Sequence, residues 1–413
     1  MSKTVRLIQR LIFSIMFIAA FAFPAAAGEQ PGSSSQTPGA PGTLPRPAHG
    51  FDIDKFEQII KAELSRKTVG YAYAIAIEHG PRRAGAGGFA ILPDVAQSPD
   101  RRIDILSMSK TITATTVMRA IEDLSTGRGR PGLPALQQPV SLDSPILRFL
   151  PKVWQQAAGP NVDKITIRDL LTHSSGLVSL PDENSFASLG QTILNGATNA
   201  AFHHYNYQNC NFSLFRIIVP YMLNARATFE PLVPQTPPPQ ETYIDDLTSN
   251  LFAKYVREQV FARVPGLTGA DLAPDGEKTG IRYYDFQNPK QYQVGHTYDY
   301  NLHRAGPGFF FLSANELLNF LIALQRGEII SKNGFKLMQS NALGMGVTMP
   351  PNSTPVPTWN HNGGFGGVGG GGGGDWMILG DRLTAVVVFN SANSPQQKGG
   401  DVLFWEAYNA AVY

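Results

Sequence analysis

The first regular apolar pattern begins near residue 52. Phe56, Ile59, Ile60 and Leu64 fall three and four apart, which predicts an amphipathic helix over 52–66. Residues 70–77 (GYAYAIAI) alternate small and larger apolar side chains and predict a strand. Residues 83–91 predict its hairpin partner, across the turn His79-Gly80-Pro81. Helical spacing returns over 107–126, where Val117, Ile121 and Leu124 share a face and Gly127 is the stop. Short helices are expected over 166–171 and 212–223. A proline-rich exposed loop covers 231–239, and a longer helix carries Ile244, Leu247, Leu251 and Tyr255. Ser313 with Glu316 makes a capping box that opens a helix through Leu324, ended by Gly327. Residues 375–379 and 383–390 predict strands about a turn at Gly380-Asp381, and a helix over about 401–411 closes the chain.

Strands lie near both ends of this pattern and helices between them. The expected class is α/β (α+β): an antiparallel sheet flanked by helices, built from about 51–135 and 306–413. A mainly helical region, about 136–305, is inserted into it. No repeat is visible at a period of 20–50 residues.

Composition narrows the picture further. The chain has 413 residues, 43% hydrophobic and 16% charged, enough apolar material for a large core and unlike a disordered chain. A single cysteine excludes a disulfide scaffold. Residues 1–27 read as a secretory signal. Lys3, Arg6 and Arg10 precede an apolar run over 11–23, and Ala25-Ala26-Ala27 follows as a cleavage site. The apolar run is shorter than the roughly 20 residues a spanning helix needs, which favours cleavage over anchoring. Residues 28–50, rich in Gly, Pro, Ser and Gln, read as a flexible linker, so the folded unit is expected over 51–413. The formal charge is +2; removing the three leader cations leaves 34 − 3 = 31 basic against 32 acidic residues. No positive surplus remains for a nucleic-acid partner. Nothing later is long and apolar enough to span a bilayer. The mature protein is expected to be periplasmic or secreted, with no stable membrane insertion after signal cleavage.

Three short motifs carry candidate chemistry. Ser107-Met108-Ser109-Lys110 is an S-x-x-K at the start of a predicted helix. Residues three apart share a helix face, so the Lys110 amine can reach the Ser107 hydroxyl, which needs a nearby group to take its proton. Alone, the pair could equally be an N-cap serine and a solvated lysine. Tyr207-Gln208-Asn209 is a Y-x-N. A tyrosine beside a lysine can carry a depressed pKa and relay protons, and an Asn amide can orient a substrate. Tyr205 is the nearest rival for that role. His361-Asn362-Gly363 is an H-x-G, where His can polarise or donate and Gly lets substrate lie against the backbone. Each motif occurs once, in the order 107, 207, 361.

The chain resembles the serine β-lactamase-related family, which holds class C β-lactamases, D-alanyl-D-alanine peptidases, family VIII esterases and D-amino-acid peptidases. The likeness rests on the three motifs and their flanks: DILSMSKTITAT, ITIRDLLTHSSGL at 165–177, YQNCNFSLF, AGPGFFFLSANELLNFLIAL at 305–324, and the closing LTAVVVFNS. It covers about 51–413 and implies a β-lactamase/transpeptidase-like fold. It further implies Ser107 as the acylated nucleophile, with Lys110 and Tyr207 sharing its deprotonation and proton delivery; which of them is the base stays open, because the pair would titrate together. By the same resemblance Asn209, His361 and Gly363 would meet the substrate, and the N–H groups of Ser107 and Gly364 would form the oxyanion hole. No cofactor and no metal is implied. Many members of the group carry Lys where His361 stands. A histidine, with an ordinary pKa near ~6.5, offers little charge to a substrate carboxylate at pH 7.

The expected function is therefore a secreted serine hydrolase acting through an acyl-enzyme on a small-molecule ester, amide or peptide substrate. A β-lactamase or D-alanyl-D-alanine carboxypeptidase is the alternative enzyme, and a binding protein retaining the fold is the alternative outside enzymes. The glycine-rich stretch 363–374, interrupted only by Phe365 and Val368, is expected to form a mobile loop. Its literal G-x-G-x-x-G match is uninformative, since a glycine run fits almost any glycine pattern. Cys210 is a rival nucleophile, although free cysteine is more often a small buried apolar residue. His203 and His204 are expected in a loop near the cleft, and His173 as a brace at a helix end.

Overall fold

The computed structural model describes residues 50–78, 81–127, 139–223, 240–267, 280–287, 295, 302–348, 358–367, 370–379, 383–392 and 400–413. The leader, the linker as far as residue 49, the proline-rich loop over 231–239 and the turns at 79–80 and 380–381 lie outside the described residues. The strands are β1 (Gly70–Ile77), β2 (Arg82–Ile91), β3 (Val95–Ala96), β4 (Ile103–Asp104), β5 (Tyr284–Asp285), β6 (Phe311–Leu312), β7 (Gly346–Thr348), β8 (Thr358–Gly367), β9 (Gly370–Leu379), β10 (Leu383–Phe389) and β11 (Ser391–Ala392). The main sheet runs β7-β8-β9-β10-β1-β2-β3, all antiparallel. β5 joins β9 through Tyr284 opposite Gly371 and pairs in parallel with β11. β4 and β6 form a separate two-stranded ladder. The fold is thus α+β as expected, with a mostly antiparallel sheet and helices.

The alternation in GYAYAIAI decides how the sheet is covered. Side chains alternate across a strand, so Tyr71, Tyr73 and Ile75 point to one face and Ala72, Ala74 and Ala76 to the other. The tyrosine face packs with Phe56, Ile60 and Leu64 of the Ile53–Lys67 helix and with Leu403, Phe404 and Trp405 of the Gly400–Ala411 helix. These two helices therefore close the same face, and Asp52 N–H donates to the Ala411 carbonyl at 2.9 Å. The alanine face belongs to the larger core and receives the Ala314–Arg326 helix. That helix begins at the expected capping box and ends at Gly327, whose φ is +78°.

The Ser109–Ser125 helix is buried on every side from Ser109 to Ala120. Four threonines lie in that stretch, and each hydroxyl finds a carbonyl. Thr111 donates to Gly344 and Thr113 to Gly306, both at 2.7 Å, while Thr115 and Thr116 bond back to their own helix. Buried hydroxyls are costly unless bonded, and here the bonds fasten the helix to two distant segments.

Three expectations change. The helix expected from Ser107 starts at Ser109; Ser107 sits in a 3-10 turn, Leu106–Met108, because Leu106 has φ +53° and cannot extend an α-helix backwards. The helix over 212–223 is two pieces, Cys210–Ser213 and Phe215–Leu223, with Leu214 between them. The glycine stretch is not a loop: its described residues lie in β8 and β9, paired from Thr358↔Leu379 to Gly367↔Gly370. Packing explains the composition. A Cβ at Gly374 would stand 2.6 Å from Met108 Cε, and one at Gly372 would stand 2.9 Å from the Tyr283 ring. Glycine serves close approach here.

Candidate active site

Ser107 lies at the junction of the 3-10 turn and the buried helix, with Lys110 one turn further on. The Lys110 amine is 3.0 Å from Ser107 Oγ and donates to the Pro307 carbonyl at 2.9 Å. The Tyr207 hydroxyl approaches Ser107 Oγ from the other side, also at 3.0 Å. The structure thus brings the first two motifs together around one oxygen, although they are a hundred residues apart.

Lys110 is wholly buried, with its Nζ 4.9 Å from the centre of the Tyr207 ring and 5.7 Å from that of Phe212. Burial pulls its pKa down to about 7, against a smaller upward pull from the Glu183 carboxylate. A large fraction is then neutral near pH 7, with a lone pair free to accept a proton. Tyr207 goes the other way from the expectation. Burial raises its pKa, the bond to Ser107 lowers it, and Tyr205 and Glu183 raise it again. The physical reason is burial: a phenolate there would lose its water, and that penalty outweighs the help of the Ser107 bond.

The Tyr207 loop rests on His173. The two rings lie 4.3 Å apart, and Gln208 N–H approaches His173 Nδ1 at 3.2 Å. Asn211 Nδ2 lies 3.3 Å from the same nitrogen, and Asn206 N–H donates to the His173 carbonyl at 2.8 Å. Burial, then the charges of Lys110 and His361, push the His173 pKa to about 2, so the ring is neutral. With Nδ1 accepting, Nε2 carries the proton. Of the other loop histidines, His203 Nδ1 is 3.0 Å from Asp169 and His204 is exposed. Tyr205 is exposed at the rim, its ring 6.2 Å from that of His173.

The third motif is on β8, with His361 opposite Trp376. Its Nδ1 lies 2.6 Å from the Asn362 carbonyl, which places the proton on Nδ1 and leaves Nε2 as an acceptor. Burial and the Lys110 charge lower its pKa to about 3, so it is neutral at pH 7. Gly363 meets the nucleophile turn itself: a Cβ there would lie 2.8 Å from the Ile105 carbonyl oxygen and 3.0 Å from Ser107 N. Its missing side chain lets β8 lie on that turn. Gly364 follows on the same strand, opposite Gly373, where a Cβ would meet the Gly372 carbonyl oxygen at 4.0 Å.

Asn209 is already engaged. Its Nδ2 donates to Glu183 Oε1 at 2.7 Å, while its Oδ1 is buried without a partner among the described residues. Glu183 went unnoticed in the sequence. It lies in a turn with no motif around it, and only its fall between THSSGL and the Y-x-N could have drawn attention. The turn is held by Arg216, fully buried, which donates to the Asn184 carbonyl and pairs with Asp245. Cys210 is fully buried and burial pushes its thiol up to about 12, so it is not a ready nucleophile. Among the described residues no cluster of His, Cys, Asp or Glu is arranged to hold a metal ion, and no helix is long and apolar enough to cross a membrane.

Comparison with known proteins bears on the fold. Residues 56–232 match the family described as Beta-lactamase. No match is found among curated protein sequences. Solved structures share the fold at low identity. D-amino acid amidase from Ochrobactrum anthropi SV3, complexed with L-phenylalanine amide, is 16% identical with a TM-score of 0.62, over 87% of this chain and 98% of that one. Class C β-lactamase from Rhodobacter sphaeroides is 17% identical with a TM-score of 0.58, over 87% and 98%. A penicillin-binding protein from Bacillus halodurans is 15% identical with a TM-score of 0.57, over 86% and 99%. The matched stretch runs from the Ile53–Lys67 helix past the Tyr207 loop and so includes Ser107 and Lys110; over it the chain is similar to the β-lactamase family, and the likeness of fold to these solved structures continues beyond it.

Proposed function

We propose that the protein hydrolyses esters or peptide-like amides through an acyl-enzyme on Ser107, with Lys110 as the base. One observation carries this reading: Ser107 Oγ lies 3.0 Å from both the Lys110 amine and the Tyr207 hydroxyl. Neutral Lys110 takes the Ser107 proton as Oγ bonds to the substrate carbonyl carbon. The oxyanion is met by the N–H groups of Ser107 and Gly364. Tyr207, whose raised pKa keeps it protonated, hands a proton to the leaving alcohol or amine, and the proton that Lys110 took from Ser107 restores the phenol. Water then attacks the acyl carbonyl, the same groups move its proton, and the C–O bond to Ser107 breaks. The unpartnered Asn209 oxygen is placed to accept an N–H from substrate.

The charge in the cleft bears on substrate class. His361 is neutral, Lys110 with its pKa near 7 carries only part of a charge, and the Glu183 carboxylate stands nearby. A carboxylate beside the scissile bond finds no fixed cation among these groups. We therefore favour an acyl donor without a carboxylate over a β-lactam or a D-alanyl-D-alanine peptide. A binding protein would need no such Ser–Lys–Tyr register. The basic, apolar and small-residue order of residues 1–27 supports export to the periplasm or medium.

The test is turnover of p-nitrophenyl butyrate by the parent and by Ser107→Ala. The parent should turn over and accumulate a butyryl adduct on Ser107, and the variant should lose at least about 10³-fold in kcat. Equal rates in two folded proteins would remove Ser107 from the mechanism.

A further inference from the structure

Two residues other than glycine hold left-handed backbone on either side of the Ser107 pocket. Leu106, directly before the serine, has φ +53°, and Phe309, two residues past Pro307, has φ +67°. Bulky side chains disfavour this region, and such conformations persist only where their surroundings hold them. One group reaches both. Asp104 Oδ1 accepts from Leu106 N–H at 2.7 Å, and Phe309 N–H also donates to the Asp104 carboxylate.

Asp104 is placed for this by the short β4–β6 ladder, in which it stands opposite Phe311. Ile105 N–H donates to the Phe310 carbonyl at 3.0 Å, which draws the two segments together. Asp104's own N–H meets the Tyr283 hydroxyl at 3.2 Å. The side chain is 6% exposed, and Arg304, whose guanidinium lies over the Phe309 ring, is the charged group that acts on it. Burial pushes the Asp104 pKa up to about 7, and the N–H bonds from Leu106 and Phe309, then the Arg304 charge, pull it down, so these bonds favour the carboxylate. These oxygens accept from two residues held at positive φ.

We infer that Asp104 is a positioning residue for acylation: its carboxylate pins the Leu106 and Phe309 turns together. Through Leu106 it sets the direction of the Ser107 N–H and Oγ. Through Phe309 it sets the Pro307 carbonyl, to which Lys110 is tied. This rests on the reading of Ser107 as nucleophile.

The test uses Asp104→Asn and the double variant D104N/L106G. The asparagine keeps the size and one acceptor but turns an amide donor toward an N–H that also donates. Labelling of Ser107 by a fluorophosphonate, which releases fluoride as the O–P bond forms, is followed by intact mass. D104N should label with kinact about tenfold lower or less, and with KI within about twofold of the parent, because orientation and not affinity is lost. L106G in the same background should recover about fivefold or more, since glycine takes positive φ without a clamp. A structural defect alone would be worsened, not repaired, by a flexible glycine. Parental kinact in D104N, or no recovery in the double variant, overturns the inference. Should D104N fail to fold, the double variant decides: folded and labelled it supports the clamp, unfolded it overturns it. A parent that is not labelled at Ser107 fails the nucleophile reading first, and the clamp with it.

Discussion

Lys110 is the residue whose chemistry depends most on where the fold puts it. An ordinary lysine holds its proton to about 10.5; burial brings this one to about 7. Activity that needs the neutral amine should therefore rise with pH through about 7, read as kcat/KM for p-nitrophenyl butyrate with background hydrolysis subtracted. Stability carries the same signature. Between about pH 7 and 10.5 the unfolded chain keeps the Lys110 proton and the folded chain has lost it, so the unfolded state binds more protons and stability rises with pH. Lys110→Met lacks that proton. Urea midpoints at pH 7 and pH 9.5 should rise more in the parent than in the variant, and the variant should be inactive. An equal change in both proteins would mean that Lys110 titrates normally. The S-x-x-K spacing was legible in the sequence, but the direction of the Tyr207 shift was not. Spacing puts an amine near a hydroxyl, whereas protonation depends on the solvent that tertiary packing excludes.

At the scale of elements, the long helices and the central strands were legible because each carries its own signal. The capping box at Ser313 and Glu316, the stop at Gly327 and the alternation of residues 70–77 are all local. β8 was not legible. TWNHNGGFGG has almost no apolar period, and its pairing is set by β9 and by the backbone of Ile105–Ser107. Gly363 gives this a test. A methyl there would stand 2.8 Å from the Ile105 carbonyl oxygen, which is backbone and cannot swing aside. Gly363→Ala should push β8 off the nucleophile turn, cost about 1–3 kcal/mol of stability and lower kcat by about 10–10²-fold. Thermal melts and steady-state kinetics measure the two. An unchanged kcat would show that β8 need not lie on Ser107.

Across the whole molecule, the two faces of the sheet separate stability from catalysis. The tyrosine face, closed by the Ile53–Lys67 and Gly400–Ala411 helices, holds no group of the Ser107 pocket. Phe404 is fully buried there and stacks with Phe56 at 6.5 Å. Phe404→Ala should cost about 3–5 kcal/mol yet leave kcat within about twofold under conditions where the protein stays folded. The urea midpoint and kcat give the two readings, and a proportional fall in both would mean that the faces are coupled. The sequence by itself determined the period of its helices and strands, the α+β class and the three motifs in order. These are local patterns, or a family likeness carried by short runs of residues. Only the tertiary structure decided that Ser107 stands in a 3-10 turn, that Lys110 gives up its proton near pH 7 while Tyr207 keeps its own, that the described glycine run is sheet, and that Glu183 and Asp104 lie near Ser107 and its turn. Each of these depends on groups far apart in the chain, and burial, close approach and charge are properties of neighbours in space.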